Sequence, residues 1–188
     1  MQSRGVGVFV PSHIYRINNQ ITVKMAHNDT LFRVIPPNRL QPAYVMNWGN
    51  YKPDINAHVA GSDLEGKFVF GSLVETPRFI FIHYTEGRDF PNNRNRGNVK
   101  DHWAIYDKRA RTLTHHVTSD TRALFENDIE PLGMPFYPEG INHGGEMYMV
   151  FTKETIKRII DSGTNRNIKL RTVYENLNDG EVCIMIVN

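Results

Sequence analysis

Short runs of apolar side chains, separated by turn-forming residues, fill the first three-quarters of the chain. Asparagine and aspartate pairs at 18–19 and 28–29, and two prolines at 36–37, predict tight turns between the first runs. The strands predicted around these turns are residues 15–17, 21–25, 31–35 and 43–48. Four short strands within about 40 residues are the size of one blade of a β-propeller.

Two further units of the same kind follow along the chain. The second contains a predicted hairpin at 107–111 and a long polar insertion at 86–100. Its strands are predicted at residues 67–70, 78–84, 102–107 and 112–117. The third unit, 119–152, is rich in glycine and proline and has its clearest strand at 147–151. The pattern therefore predicts a structural repeat with little residue identity between units.

The spacing of apolar residues changes from a period of two to a helical period near the C-terminus, where two short helices are predicted. Thr152 is suited to cap the first helix and Gly163 to end it. Apolar side chains at helical spacing follow, and they are Ile156, Ile159 and Ile160, then Leu170, Val173, Tyr174 and Leu177. The continuous apolar run at 182–187 predicts an internal, buried strand. We expect both helices to pack against the sheets, and the contacting side chains are predicted to be Ile156, Ile159, Ile160, Val173 and Leu177.

The combined pattern predicts an all-β fold, a partial β-propeller of about three four-stranded blades with a small α-helical C-terminal extension. We treat residues 1–188 as a single domain. Its predicted parts are blade-like units at 8–50, 67–118 and 119–152, and a helical tail with a closing strand at 153–188.

Composition narrows the function classes. A net charge of +2 is too small to indicate nucleic acid or anionic membranes as partners. The longest apolar runs have strand length, whereas a membrane-spanning helix needs about 20 residues. The first five residues lack the apolar stretch of a secretory signal, which predicts that the chain as given is not exported. The insertion at 88–100 is basic but has Phe90 as its single aromatic residue, which favours a solvated loop.

Cysteine and histidine usage predicts no metal site and no cofactor. Cys183 is the only cysteine, which excludes an internal disulfide, and its apolar surroundings predict an inert buried thiol. The eight histidines show no metal-ligand spacing. His115 and His116 are adjacent in a predicted strand, so their side chains point to opposite faces. Trp48 and Trp103 also fall in predicted strands, where we expect them to pack between sheets.

Several motifs, in order, resemble blades of the six-bladed β-propeller proteins of Bacteroidetes. They are residues 29–34, 40–49 with 51–52, 75–81, 102–108, and 127–129 with 135–138. The resemblance implies a propeller fold and, for a full-length parent, a location in the periplasm or cell envelope; it implies no reaction, because the family has none established. The chain departs from the family in having about half its length and in residues 130–133, which replace an acidic-Gly-Gly turn.

Six residues are candidate ligand-binding positions, at strand ends and in loops: Glu75, Arg78, Asn127, Asp128, Glu139 and His143. Glu75 and Arg78 flank Thr-Pro. They either face the mouth of the propeller, form an intramolecular Glu–Arg pair, or bond backbone groups between blades. Asn127 and Asp128 either face the channel or form a turn. His143 lies among glycines that allow a ligand close to the backbone, although loop structure alone also explains it.

These features favour a non-enzymatic binding or scaffold module with a protein or saccharide ligand. The alternative is a hydrolase or lyase acting on a carbohydrate or lactone, with its site in the propeller channel. That enzyme requires convergence of candidate acid–base groups, which are Glu75, Asp128, Glu139 and His143. A half-propeller leaves blade faces open, so we also expect a homodimer or a partner that supplies the missing blades.

Overall fold

The computed structural model describes residues 13–25, 28–53, 64, 66–87, 99–118, 134, 136–142, 144–161 and 168–187. The chain divides into two compact units, Met1–Ser119 (unit 1) and Asp120–Asn188 (unit 2). Over the described residues it contains three antiparallel sheets and two short helices. The predicted all-β class with a small helical C-terminal part is therefore confirmed.

Sheet 1 of unit 1 is a meander of four antiparallel strands in the order β1-β2-β3-β4. The strands are β1 (His13–Ile17), β2 (Gln20–Lys24), β3 (Thr30–Ile35) and β4 (Arg39–Val45). Asn18 and Asn19 both have positive φ, 48° and 59°, which is the two-residue turn that matches the twist of a hairpin. Pro42 lies in β4, an outer strand of this sheet, where a missing N–H does not interrupt the ladder.

Sheet 2, also in unit 1, repeats this topology in the order β5-β6-β7-β8. The strands are β5 (Phe68–Glu75), β6 (Phe79–Glu86), β7 (Lys100–Asp107) and β8 (Thr112–Thr118). The predicted hairpin between β7 and β8 is confirmed: Asp107 Oδ1 accepts the N–H groups of Arg109 and Ala110 at 2.8 and 3.0 Å. Glu86 and Lys100, the ends of the predicted polar insertion, pair directly across β6 and β7.

The two sheets of unit 1 pack face to face. Leu31 of sheet 1 is buried together with Leu73 and Ile80 of sheet 2. The first strands of the two sheets, β1 and β5, are in contact. Partly buried side chains extend this core, and they are Tyr15, Tyr44, Met46, Phe70, Ile82 and Tyr106. Since side chains alternate along each strand, one face of each sheet forms this shared core.

Unit 2 combines a three-stranded sheet 3 with two helices. Its strands are β9 (Gly140–Ile141), β10 (Met147–Thr152) and β11 (Val182–Val187), in the order β11-β10-β9. The helices are α1 (Lys153–Asp161) and α2 (Ile168–Asn176). Thr152 caps α1 as predicted, since its Oγ1 accepts the Thr155 N–H at 3.2 Å. The phenol of Tyr148 lies against Gly140, where a Cβ would come within 2.4 Å of the hydroxyl oxygen.

The predicted packing of the helices is confirmed. Ile156 and Leu170 are fully buried in an apolar cluster with Phe151. Partly buried side chains pack against it, and they include Ile159, Ile160, Val173, Tyr174, Leu177 and Cys183. Gly163, which was expected to end α1, lies outside the described residues.

Two strand predictions need correction. Trp48 is not in a strand, because β4 ends at Val45. Asn47 then starts a turn, in which its side-chain Oδ1 accepts the Gly49 N–H at 3.1 Å. Strand β11 is not fully buried: its alternate side chains Val182, Ile184 and Ile186 are exposed. Within the described part of the chain β11 pairs with β10 alone, so one face of this apolar strand meets solvent.

Candidate functional site

Glu75, a candidate from the sequence, ends β5 with a side chain that is 0% exposed. Both of its carboxylate oxygens bind the Arg33 guanidinium, Oε1 at 2.6 Å and Oε2 at 2.9 Å. Lys108 Nζ donates to Oε1 at 2.9 Å and the Tyr15 hydroxyl donates to Oε2 at 2.8 Å. Arg33 and Tyr15 come from sheet 1, whereas Lys108 follows β7 of sheet 2. The carboxylate is therefore a clamp between the two sheets of unit 1.

The electrostatics of this clamp keep Glu75 ionised. Burial by itself raises the pKa of Glu75, but the hydrogen bonds from Arg33, Lys108 and Tyr15 outweigh it, and the net pKa lies below the usual glutamate range. Burial and the adjacent Glu75 carboxylate raise the pKa of Tyr15, so the phenol stays neutral. An anion held by three donors is suited to positioning sheets and poorly suited to exchanging a proton with a substrate.

Arg78 does not pair with Glu75, whose internal arginine partner is Arg33. The Arg78 guanidinium instead binds Asp107 Oδ2, with Nη2 at 2.7 Å and Nε at 3.0 Å. The Arg78 side chain is largely exposed and lies over the Phe79 ring at 4.8 Å. Tyr15 and Arg33, which bind Glu75, lie far from it in sequence, so the local sequence did not identify them.

The remaining candidates do not form a described site. Glu139 is exposed in unit 2, and its N–H donates to the Tyr148 carbonyl at 2.8 Å. Asn127, Asp128 and His143 lie outside the described residues. Convergence of Glu75, Asp128, Glu139 and His143 thus stays a prediction. Among the residues that the structure describes, no group of three or more His, Cys, Asp or Glu side chains is arranged to hold a metal ion.

Sequence reasoning missed a cluster of stacked rings on the inner face of sheet 2. Tyr84, His102 and His115 lie on three neighbouring strands, β6, β7 and β8. The Tyr84 hydroxyl lies 2.9 Å from His115 Nε2, and His102 Nδ1 lies 3.0 Å from the same nitrogen. Ring centroids are 4.9 Å apart for Tyr84–His102 and 5.1 Å apart for His102–His115. His116 is on the opposite face, beside Trp103, as the alternation predicted.

Burial keeps this cluster neutral. Desolvation lowers the pKa of both His102 and His115, and the proximity of His115 lowers the pKa of His102 further. Glu86, whose Oε2 lies 3.5 Å from His102 Nε2, opposes that shift. Burial also raises the pKa of Tyr84 to about 12. The cluster is therefore uncharged at neutral pH and takes up protons only in acid.

A cavity of about 440 Å³ lies beside these rings in unit 1. Trp48, Phe68 and Tyr84 form an aromatic wall with ring centroids 4.8–5.8 Å apart. The remaining described lining residues are Tyr44, Val45, Met46, Asn47, Ile80, Ile82, Ala104, Tyr106 and Leu113. The alternation of apolar and polar side chains along β6 and β7 could have indicated which residues of sheet 2 line this cavity. Nothing in the local sequence indicated that the segment after β4 closes it.

Two four-stranded meanders packed face to face, followed by a third sheet with two helices, define a mainly-β protein built from repeated antiparallel sheets. Residues 11–162 match the family described as "Domain of unknown function (DUF4933)", and the chain belongs to this family. No curated protein matches the chain significantly. Within the described residues, no helix has the length and apolar character needed to cross a membrane.

One solved structure is similar in fold. It is described as a "Putative exported protein" from Bacteroides fragilis, with a TM-score of 0.61 and 14% sequence identity. The match covers 93% of this chain and 49% of that chain. The chain therefore spans about half the length of its structural neighbour, and the likeness concerns the fold alone.

Proposed function

We propose that the chain is a non-enzymatic binding or scaffold module with β-propeller architecture, in which sheets 1 and 2 are adjacent blades. Three observations support the architecture. Both sheets are four-stranded meanders in sequential order, they pack face to face, and their first strands β1 and β5 are in contact. The fold also matches half of a longer protein, as expected for a partial ring of blades.

The main support for a non-enzymatic binding or scaffold function is that internal hydrogen-bond donors fully engage the Glu75 carboxylate. A catalytic carboxylate must reach a proton on the substrate, whereas Glu75 is buried and all its described contacts are internal donors. Arg78 is likewise occupied by Asp107. Both candidates that lie in unit 1 therefore serve contacts within the protein.

Exposed apolar side chains support assembly through blade faces. In sheet 1, Ile14 is 70% exposed and Ile21 is 41% exposed, and both lie on the face opposite the shared core. In unit 2, Ile184 and Ile186 are each 55% exposed. We propose that a second copy of the chain covers such faces, since a twofold arrangement reuses the contacts that already join one blade to the next.

The proposed compartment is the cell envelope. The structural neighbour is described as a "Putative exported protein", and the sequence motifs resemble envelope proteins of Bacteroidetes. The chain has a single cysteine, Cys183, and its side chain packs against an apolar core, which is compatible with export of the parent protein.

Sedimentation equilibrium at micromolar concentration tests the assembly. We expect a dimer for the unaltered chain, a monomer for Ile14→Asp, and a dimer for the control Lys157→Glu on the exposed side of α1. If the unaltered chain is a monomer, the proposal that a second copy covers the exposed blade faces is overturned. A longer natural chain that sediments as a monomer with Ile14 protected from solvent would assign the face to additional blades.

Turnover assays on nitrophenyl glycosides and lactones test the absence of catalysis. We expect no turnover above buffer. Activity that disappears in Glu139→Gln, an exposed position whose substitution leaves the core intact, would replace the binding function with a hydrolase. A parallel thermal-shift screen with proteins and saccharides then searches for the ligand.

A further inference from the structure

We propose that the cavity beside Trp48 and Tyr84 is a binding site for a neutral, planar aromatic molecule. This inference rests on the proposed binding function and adds a ligand class to it. The described residues that line the site all belong to unit 1 and lie in β4, in the segment that follows it and on the inner face of sheet 2. It is separate from the Glu75 clamp, whose residues Tyr15, Arg33 and Lys108 do not line it.

The size and lining of the cavity are those of a small-molecule site. A volume of about 440 Å³ falls within the range of about 300–1,000 Å³ that is typical of ligand pockets. Its described lining is aromatic and aliphatic, and contains no Asp, Glu, Lys, Arg or His. A charged ligand would lose its hydration here without gaining a counter-ion, so the lining selects a neutral one.

The ring geometry favours an aromatic ligand over an aliphatic one. The Trp48 ring meets Phe68 edge-on, with an interplanar angle of 80°, and meets Tyr84 at 59°. Tyr44 and Tyr106, which also line the cavity, form another edge-on pair, with centroids 6.2 Å apart. The cavity is therefore lined by rings that already meet in the tilted and edge-on arrangements that aromatic pairs prefer, and a planar aromatic ligand can add further contacts of this kind.

The scarcity of polar groups disfavours a saccharide. Each sugar hydroxyl that leaves water needs a hydrogen-bond partner in the site. The described lining offers the Asn47 amide, the Trp48 indole N–H and three tyrosine hydroxyls. Of these, Asn47 Oδ1 already accepts the Gly49 N–H, and the Tyr84 hydroxyl already pairs with His115. A flat aromatic ligand with at most one or two polar groups fits this set better than a polyol.

Trp48 provides a local reporter for the test. The chain has two tryptophans, and the Trp103→Phe variant assigns their indole N–H signals in a ¹H–¹⁵N spectrum. Indole is the probe, and we expect it to shift the Trp48 signal in a saturable way with a Kd of about 1 mM or lower. Indole-3-acetate, tryptamine and N-acetylglucosamine are the charged and saccharide controls, and we expect each to bind at least about tenfold more weakly.

Two pairs of variants separate the cavity from the surface around it. Leu113 lines the cavity and is 62% exposed, whereas Val117 lies on the same face of the same strand, outside the described lining, and is 45% exposed. We expect Leu113→Glu to weaken indole binding at least about fivefold and Val117→Glu to leave it unchanged. Ala104→Phe fills the cavity and should abolish binding, while Thr114→Phe on the opposite face should not.

Each outcome decides the proposal. Saturable indole binding that is lost in Leu113→Glu supports it, even if Ala104→Phe fails to fold. A Trp48 signal that responds to N-acetylglucosamine in preference to indole overturns the aromatic assignment and leaves the binding function standing. No response of Trp48 to any probe at millimolar concentration overturns the site itself. The sedimentation and turnover assays judge the proposed function independently of all three results.

Discussion

Unit 1 and unit 2 bury different kinds of side chain. Among the described residues, the buried charged side chains Lys24, Glu75 and Asp101 all belong to unit 1. The main buried cluster of unit 2 is apolar throughout, and its described members are Met134, Met149, Phe151, Ile156, Leu170, Met185 and Val187. The contacts that stabilise the two units therefore differ in how strongly they depend on the orientation of the groups and on pH.

The contrast shows what a buried charge adds to a β-sheet core. Burial of apolar surface is favourable in proportion to area and does not depend on orientation. Glu75, in contrast, requires Arg33, Lys108 and Tyr15 to stay within hydrogen-bond distance. The clamp thus restricts how sheets 1 and 2 pack, whereas the core of unit 2 should accept substitutions that conserve volume.

The largest expected effect is the loss of the Glu75 carboxylate. Glu75→Gln leaves the positive charges of Arg33 and Lys108 without their counter-ion, which should lower the free energy of unfolding by about 3–5 kcal/mol. Urea unfolding measures the loss, and hydrogen exchange should accelerate first in the strands of sheets 1 and 2. The matched control is Glu86→Gln, because Glu86 is a partly exposed glutamate of the same sheet. This substitution should change the free energy of unfolding only slightly. Equal effects of the two substitutions would show that the clamp is dispensable.

A comparable loss is expected in unit 2 for a different reason. Phe151 is fully buried, so Phe151→Ala should cost about 3–5 kcal/mol through lost apolar burial and an internal cavity. Phe151→Leu, which keeps most of the volume, should cost clearly less. Neither variant should alter the pH dependence of unfolding. A pH-dependent cost for Phe151→Ala would contradict the division between the units.

A smaller effect should appear as the pH is lowered. Because the folded-state pKa values of His102 and His115 are depressed, the unfolded chain binds more protons in acid, and stability falls as the pH drops from about 6.5 through these lowered values. Tyr84, Glu86, Lys100 and His116 are the titratable groups that act on this pair.

Urea midpoints at pH 7.5 and pH 5.0 measure this effect. His115→Gln removes one titrating ring and should flatten the pH dependence while keeping a polar side chain at the position. An unchanged slope in His115→Gln would show that other groups account for the loss of stability in acid.

The smallest effect is expected for the exposed ion pair. Arg78→Ala removes a solvent-screened contact with Asp107 and should leave the thermal midpoint almost unchanged. Asp107→Ala should have the larger effect of the two, because Asp107 Oδ1 also holds the β7–β8 turn through the N–H groups of Arg109 and Ala110. Thermal unfolding of both variants makes the comparison, and the reverse order would contradict the assignment of Asp107 to the turn.

Local chemistry allowed much of the secondary structure to be predicted. The asparagine pair at 18–19 and the Asp107 hairpin were identified correctly, because each turn is made by neighbouring residues. The capping of α1 by Thr152 and its buried Ile156 followed from helical spacing in the same way. The strand at 182–187 was also placed correctly, although its exposed side was not foreseen.

The partners of each side chain were decided by tertiary structure. Glu75 binds Arg33, 42 positions away, and Tyr15, 60 positions away. Trp48 lines a cavity with Tyr84 because the segment after β4 folds back over sheet 2. Periodicity determines which face of a strand is apolar, since it depends on neighbours along the chain. Which faces meet depends on how whole sheets bury that surface, and that choice is made only when the distant strands pack together.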